Sequence, residues 1–215
     1  DRNFGGRRVQ IVGSYRRLDE LSEKLEKFSY RVLKEECLDL PPKIYMKRTV
    51  ELTPEQKKVY AQMKQMALAM LDDKVMSTVN VMTQLMRLHQ VTCGHFKADD
   101  NSITKLDNNR VNALLELLEE TDGKVIIWAN YREDIRNIVD SLKKAYGDDS
   151  TVEYWGEVDS TLRQENIAQF QQKNGPTRYF VGNAQTGGYG ITLTAANTVI
   201  YYSNNYDLEK RLQSE

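Results

Sequence analysis

The chain has 215 residues, enough for one large domain or two small ones with a real core. Its 30 Lys and Arg stand against 31 Asp and Glu, so no global basic field draws it to nucleic acid; such binding has to come from local patches. Two distant cysteines, Cys37 and Cys93, fit no disulfide framework and point to a reducing compartment, and no apolar run approaches a membrane span or a signal peptide.

In chain order, the first residues lack an initiator Met, which leads us to expect a start inside a longer protein. Leu18, Leu21, Leu25 and Phe28 recur at helical spacing, and the first half as a whole reads as helical. Pro41 and Pro42 break that pattern, and residues 44–52 are rich in strand formers. Thr53-Pro54-Glu55-Gln56 is a helix start, with Thr53 as cap and Gln56 reaching back. The helix should run to about Asp72, with Val59, Met63, Met66 and Met70 on one face, and another should cover 79–91. Residues 99–104 are polar and read as a loop.

From Leu106 the pattern alternates. A helix is expected over 106–120, with Leu114, Leu115, Leu117 and Leu118 mostly buried, then a strand over 124–128 buried on both faces. Asn130 with Glu133 is placed to cap a helix that runs to about Tyr146. A strand at 152–154, a helix over 159–172 and strands at 178–182 and 198–202 complete a βαβα rhythm. That rhythm predicts an α/β fold, a parallel sheet with helices on both faces, whose ligands sit beyond the carboxyl ends of the strands.

The stretch most suited to chemistry is 182–193. It follows a predicted buried strand and carries Gly187, Gly188 and Gly190, where bare peptide groups can approach phosphate oxygens. Taken alone it reads equally well as a tight turn. A dinucleotide-binding turn is disfavoured, because Leu193 stands where the third glycine of that fingerprint belongs. No P-loop is present, since Gly123-Lys124 is followed by Val125 rather than a hydroxyl residue. His89, Cys93 and His95 lack the paired spacing of a zinc site, and no metal ligand is assigned; a buried Cys93, with histidines that help end or cap the helix, is the plainer reading. Pairs such as Arg7–Arg8 and Lys143–Lys144 read first as solvated faces.

Taken together these segments resemble the Swi/Snf-type helicase-like ATPases of helicase superfamily two. The passage from Phe28 to Glu36 followed by Leu-Pro-Pro-Lys at 40–43 resembles the exit from the family's first motor lobe. Residues 52–56 with Tyr60 resemble its next strand and helix, and 85–95 its L-R-x-x-x-x-H-P region, here without the Pro. Lys105-Leu106 opens a Leu-rich helix, as at the start of the family's second lobe, residues 124–131 resemble motif IV, and Tyr154-Trp155-Gly156 with 160–164 and Phe170 resembles the following DNA-facing motif. Residues 183–197 resemble motif V, with Gln185, Thr192 and Asn197 in place of the usual Arg, Asn and Asp.

The resemblance implies residues 1–104 as a mainly helical segment with one strand, linking the first motor lobe to the second. Residues 105–215 would be a second RecA-like lobe, cut before motif VI and its arginine fingers, which should follow soon after Glu215. ATP and Mg would be held mainly by the first lobe of the same polypeptide, and their cycle would open and close the cleft between lobes. Gly188, Gly190 and Gln213 would lie near the nucleotide. Asn130, Ser160, Thr161, Arg163, Asn183, Thr186 and Gly187 would meet DNA phosphates without reading sequence. No catalytic residue is assigned, and this stretch alone is expected to be inactive. No membrane is implied; the location would be cytoplasmic, with a bacterial or viral origin, or nuclear in a eukaryote. The competing reading is a degenerate lobe that scaffolds partners, motivated by Gln185 and Asn197.

Overall fold

A computed structural model describes residues 2–4, 7–9, 16–30, 42–72, 78–98, 100–187 and 191–215. Contacts divide the chain into two units, Asp1–Arg48 and Thr49–Glu215. In the first unit, β1 (Arg2–Phe4) pairs antiparallel with β2 (Arg7–Val9), Arg2 facing Val9. This hairpin lies in a half that reads as helical. The helix α1 (Leu18–Glu26) forms as the apolar spacing requires, braced by the Glu20–Lys24 pair at 2.9 Å. Leu18, Leu21 and Leu25 nonetheless stay exposed. The strand expected over 44–52 is absent: 42–53 carry no regular structure, since strand formers make a strand only where a partner edge accepts their ladder.

The second unit opens with a reciprocal cap. Thr53 Oγ1 accepts from Gln56 N at 3.2 Å, and Gln56 Oε1 accepts from Thr53 N at 3.0 Å. This starts α2 (Pro54–Asp72), which pairs with α3 (Thr78–Cys93). The Gln56 amide, 1% exposed, donates to Val91 O at 2.8 Å and satisfies a carbonyl of the last turn of α3. The Met face of α2 is only partly covered: Val59 and Met63 are half-buried, and Met66 is exposed. The chain then turns at Gly94 into β3 (His95–Lys97), which pairs antiparallel with β4 (Ile103–Lys105). That hairpin replaces part of the loop expected over 99–104; strands this short give too few positions for an alternating pattern. Leu106–Asn109 stay outside the next helix, α4 (Arg110–Glu119), because Leu106 N is engaged with Gly94 O and Asn108 Oδ1 accepts from Arg110 N. Leu114 and Leu118 of α4 are buried; Leu115 and Leu117 are half-buried.

The lobe proper is a four-stranded, all-parallel sheet in the order β6–β7–β5–β8, where β5 is Lys124–Trp128, β6 Thr151–Tyr154, β7 Tyr179–Gly182 and β8 Ala196–Tyr201. Side chains alternate across it. Val125, Ile127, Tyr179 and Val181 pack one face against α4 and against Ile135, Ile138, Val139 and Leu142 of α5 (Arg132–Tyr146). Ile126, Trp128, Val152, Tyr154 and Phe180 pack the other face, covered by Phe170 of α6 (Ser160–Gln171) and by Ile191 and Leu193. The expected parallel sheet with helices on both faces is what the chain builds. Each large apolar side chain fully buried here is worth about 1.5–3 kcal/mol, so this core dominates the unit's stability.

Candidate nucleic-acid interface

The strands end level. Tyr154 pairs with Gly182, Gly182 with Trp128, and Trp128 with Tyr201. The segments that leave β6, β7 and β5 therefore stand side by side at the carboxyl edge. At about 4.8 Å per strand the row spans ~10 Å, a length in which one DNA strand presents about three phosphates along the helix axis.

At the β5 exit, Asn130 does not cap α5. The residue before that helix is Tyr131, extended and making no side-chain cap. Asn130 N donates to Ser203 Oγ at 2.8 Å, so the residue's backbone is held by the β8 exit. At the β7 exit, Asn183 Nδ2 donates to Asn130 O at 3.0 Å, and Asn183 Oδ1 accepts from Gln185 N at 2.7 Å, starting the short helix α7 (Ala184–Gly187). Asn183 thus braces two exits together. Thr186 is half-buried on α7. Gly187 is buried against the Trp128 ring, so its place in the row is set by packing and not by an exposed phosphate contact.

Beyond β6, Asp159 caps α6 and accepts from Thr161 N at 2.8 Å, a bond that holds its carboxyl below the usual range. The Asp159 carboxylate already takes that N–H. Exposed Ser160 and Thr161 would therefore meet a phosphate through their hydroxyls, next to a negative charge. Arg163 rests its guanidinium 5.7 Å from the Tyr154 ring centroid, and its buried Nε has no hydrogen-bond partner. Gln171 pins the return to β8: its Nε2 donates to Thr192 O at 2.7 Å and its Oε1 accepts from Ala195 N at 2.9 Å.

Gly188 and Gly190 lie outside the described residues. Gln213 is exposed on the helix α8 (Leu208–Gln213), which packs beside α7, and its side chain bonds Glu209 Oε1 at 3.3 Å. Beside it, Ser214 fastens the end of α8 to the sheet: its carbonyl accepts from Trp128 Nε1 at 3.1 Å, and its hydroxyl meets Tyr201 OH at 2.7 Å.

A polar recess between the exits, lined by Asn130, Asn183, Ser203, Asn204 and Arg211, holds about 20 Å³, too little to enclose a nucleotide. Below it lies a group that the sequence reading missed. Asp134, 2% exposed on α5, accepts from Ser203 Oγ at 2.9 Å and faces His95 Nδ1 at 3.4 Å. Burial pushes its carboxyl up to about 7 and keeps His95 and His89 below the ordinary imidazole value. Both shifts favour uncharged forms, so the close Asp134–His95 pair is best described as a carboxylic acid beside a neutral imidazole. Burial also lifts the Cys93 thiol and the Tyr131 phenol to about 12 each. Cys93 is an inert, buried group that accepts from Arg110 Nη1 at 3.4 Å. The histidines do not cap α3: His95 begins β3, and His89 bonds Tyr131 OH at 2.9 Å. The signal for Asp134 was its spacing. It sits one turn before Ile138, on the apolar stripe of α5.

Comparison with known proteins agrees with this geometry. The family model "Helicase conserved C-terminal domain" matches residues 109–215. An uncharacterised ATP-dependent helicase of Mycoplasma genitalium is 25% identical over 93% of this chain, and the chain spans 20% of that relative's length. A SWI2/SNF2 ATPase core of Sulfolobus solfataricus superposes with a TM-score of 0.66 at 23% identity, over 91% of this chain and 42% of that one. The same core in complex with double-stranded DNA gives 0.62 at 24% identity, over 86% and 41%. Among the described residues no helix is long and apolar enough to cross a membrane. With its four-stranded parallel sheet and level strand exits, the chain carries the helicase conserved C-terminal domain over residues 109–215 and shares the fold of a SWI2/SNF2 ATPase C-terminal domain.

Proposed function

We propose that this chain is the second motor lobe of an ATP-dependent translocase on double-stranded DNA, which couples ATP hydrolysis to movement without reading sequence. The observation that carries the reading is the level row of exits of β6, β7 and β5, with Asn183 bonded to Asn130 across the last two. Short amide and hydroxyl side chains in such a row suit phosphate oxygens, which position a protein on DNA without specifying bases. Arg163, on α6 beside the β6 exit, supplies a positive charge at one end of the row.

The recess at the exits is too small to enclose a nucleotide, and among the described residues no group of His, Cys, Asp and Glu is placed to hold a metal ion. On this reading, which rests on the family resemblance, ATP and Mg are assigned mainly to a first RecA-like lobe of the same polypeptide, and Gly188, Gly190 and Gln213 to one wall of the shared cleft. Alone, this chain is inactive on that reading. The location would be cytoplasmic, or nuclear in a eukaryote.

The test is ATP hydrolysis by a polypeptide that joins this chain to its first lobe, with and without DNA. Stimulation by duplex beyond that by single strands supports a duplex translocase. No turnover despite a folded protein favours the non-catalytic scaffold instead, and turnover indifferent to DNA would contradict movement on DNA.

A further inference from the structure

We propose that Asp134 is a positioning residue that ties the α2–α3 hairpin to the strand exits and sets where Asn130 and Asn183 stand, a role that rests on the DNA reading above.

The links are continuous. His95, which follows α3, faces Asp134 Oδ1 at 3.4 Å. Asp134 Oδ2 accepts from Ser203 Oγ at 2.9 Å, and that oxygen accepts from Asn130 N at 2.8 Å. Asn130 O in turn accepts from Asn183 Nδ2 at 3.0 Å, and Asn183 starts α7. One carboxyl thus joins three segments distant in sequence: the end of the hairpin, the β8 exit and the β5 exit.

Stability does not account for an acid there. Its neighbours on α5, Ile135, Ile138, Val139 and Leu142, are apolar and buried, and a well-packed apolar side chain would avoid the cost of desolvating a carboxyl. What the acid supplies is direction. It holds the Ser203 hydroxyl in the orientation that leaves the oxygen's lone pair for Asn130 N.

The group is also able to change state. From α3 it faces Cys93; from α4, Arg110; and after β8, Tyr202, whose phenol is pushed up by burial first and by Asp134 second. On its own helix Glu133 adjoins it, and His89 lies across Tyr131. Of these, Asp134 titrates near 7, the histidines lower and the thiol and phenols well above. Ionisation strengthens its grip on the Ser203 hydroxyl.

The experiment follows the Asn130 backbone amide and the Asn183 side-chain amide of the 215-residue chain by NMR between pH 5.5 and 8.5, for wild type, Asp134→Asn and Ser203→Ala. Both amides should move together with a midpoint near 7 in wild type and stop moving in Asp134→Asn, which keeps an acceptor but cannot ionise. In Ser203→Ala they should no longer follow Asp134. Affinity for a short DNA duplex should fall about tenfold in Ser203→Ala and Asp134→Leu, the equivalent of one charge-assisted hydrogen bond, and recover in Asp134→Asn. Static amides in wild type, or a titration unchanged in folded Asp134→Asn or Ser203→Ala, overturn the link. Should Asp134→Asn fail to fold, the wild-type and Ser203→Ala titrations still decide. Linked titration in a wild-type chain that binds no duplex would remove the DNA reading and leave the link itself standing.

Discussion

A β-carbon on Gly187 would lie 2.5 Å from Cη2 of Trp128. The ring fills the space beneath the β7 exit, and its indole N–H reaches Ser214 O on the far side of the sheet edge. Gly187→Ala should therefore cost about 1–3 kcal/mol by overpacking. Trp128→Phe removes the outer ring and relieves the clash, so the double variant should be less destabilised than the sum of the two singles. Denaturant unfolding of the four chains checks this; strict additivity would mean the two residues do not share the space.

Asp134 makes stability depend on pH in a stated direction. Its folded-state value, about 7, lies above the ordinary 3.8. The contribution is then full below the unfolded value and is lost as pH rises through about 7. Buried neutral His89 and His95 act oppositely, losing stability as pH falls below 6.5, but they do so in wild type and variant alike. Asp134→Asn should thus gain on wild type by on the order of 1 kcal/mol per pH unit between pH 5 and 7, and hold a constant difference above that. Thermal unfolding across pH measures it, and a pH-independent difference would contradict a raised carboxyl.

Gln56 joins the start of α2 to the end of α3 through a fully buried amide. Gln56→Leu leaves Val91 O without its donor and removes half of the Thr53 cap. The loss should be about 2–3 kcal/mol, against about 1 kcal/mol for Thr53→Ala. Hydrogen exchange should show the last turn of α3 opening first in the Gln56 variant; uniform protection would mean the amide is dispensable.

Arg163 is the cation placed to meet a phosphate. In a polypeptide with both lobes, Arg163→Ala should weaken duplex binding equally across sequences and lower the salt-dependence slope by about 1. An unchanged slope would leave the residue as a helix-surface group packed on Tyr154.

Gly188, assigned from the resemblance, is tested by Gly188→Leu in the same two-lobed polypeptide. DNA-stimulated ATP hydrolysis should vanish while the unfolding temperature stays within a few degrees. Normal turnover would remove the residue from the cleft.

The sheet was legible in the sequence because its strands are buried on both faces and so read as short apolar runs between amphipathic helices, as in residues 124–128 and 178–182. The helix start at Thr53 was legible because a reciprocal cap is local chemistry. The β3–β4 hairpin was not, since three-residue strands show no period, and residues 44–52 misled because strand propensity is realised only against a partner edge. At the site, Asn130 and Asn183 were found by motif, but their partners were not. Ser203 meets Asn130 across 73 positions of sequence and Asp134 across 69, contacts that only the folded sheet creates.

Movement on duplex DNA is the central claim, and displacement of a third strand from a DNA triplex by the two-lobed polypeptide measures it most directly. The account predicts displacement that requires ATP hydrolysis, is indifferent to the duplex sequence ahead of the triplex and is lost with Gly188→Leu. Hydrolysis stimulated by duplex without any displacement of the third strand would contradict it.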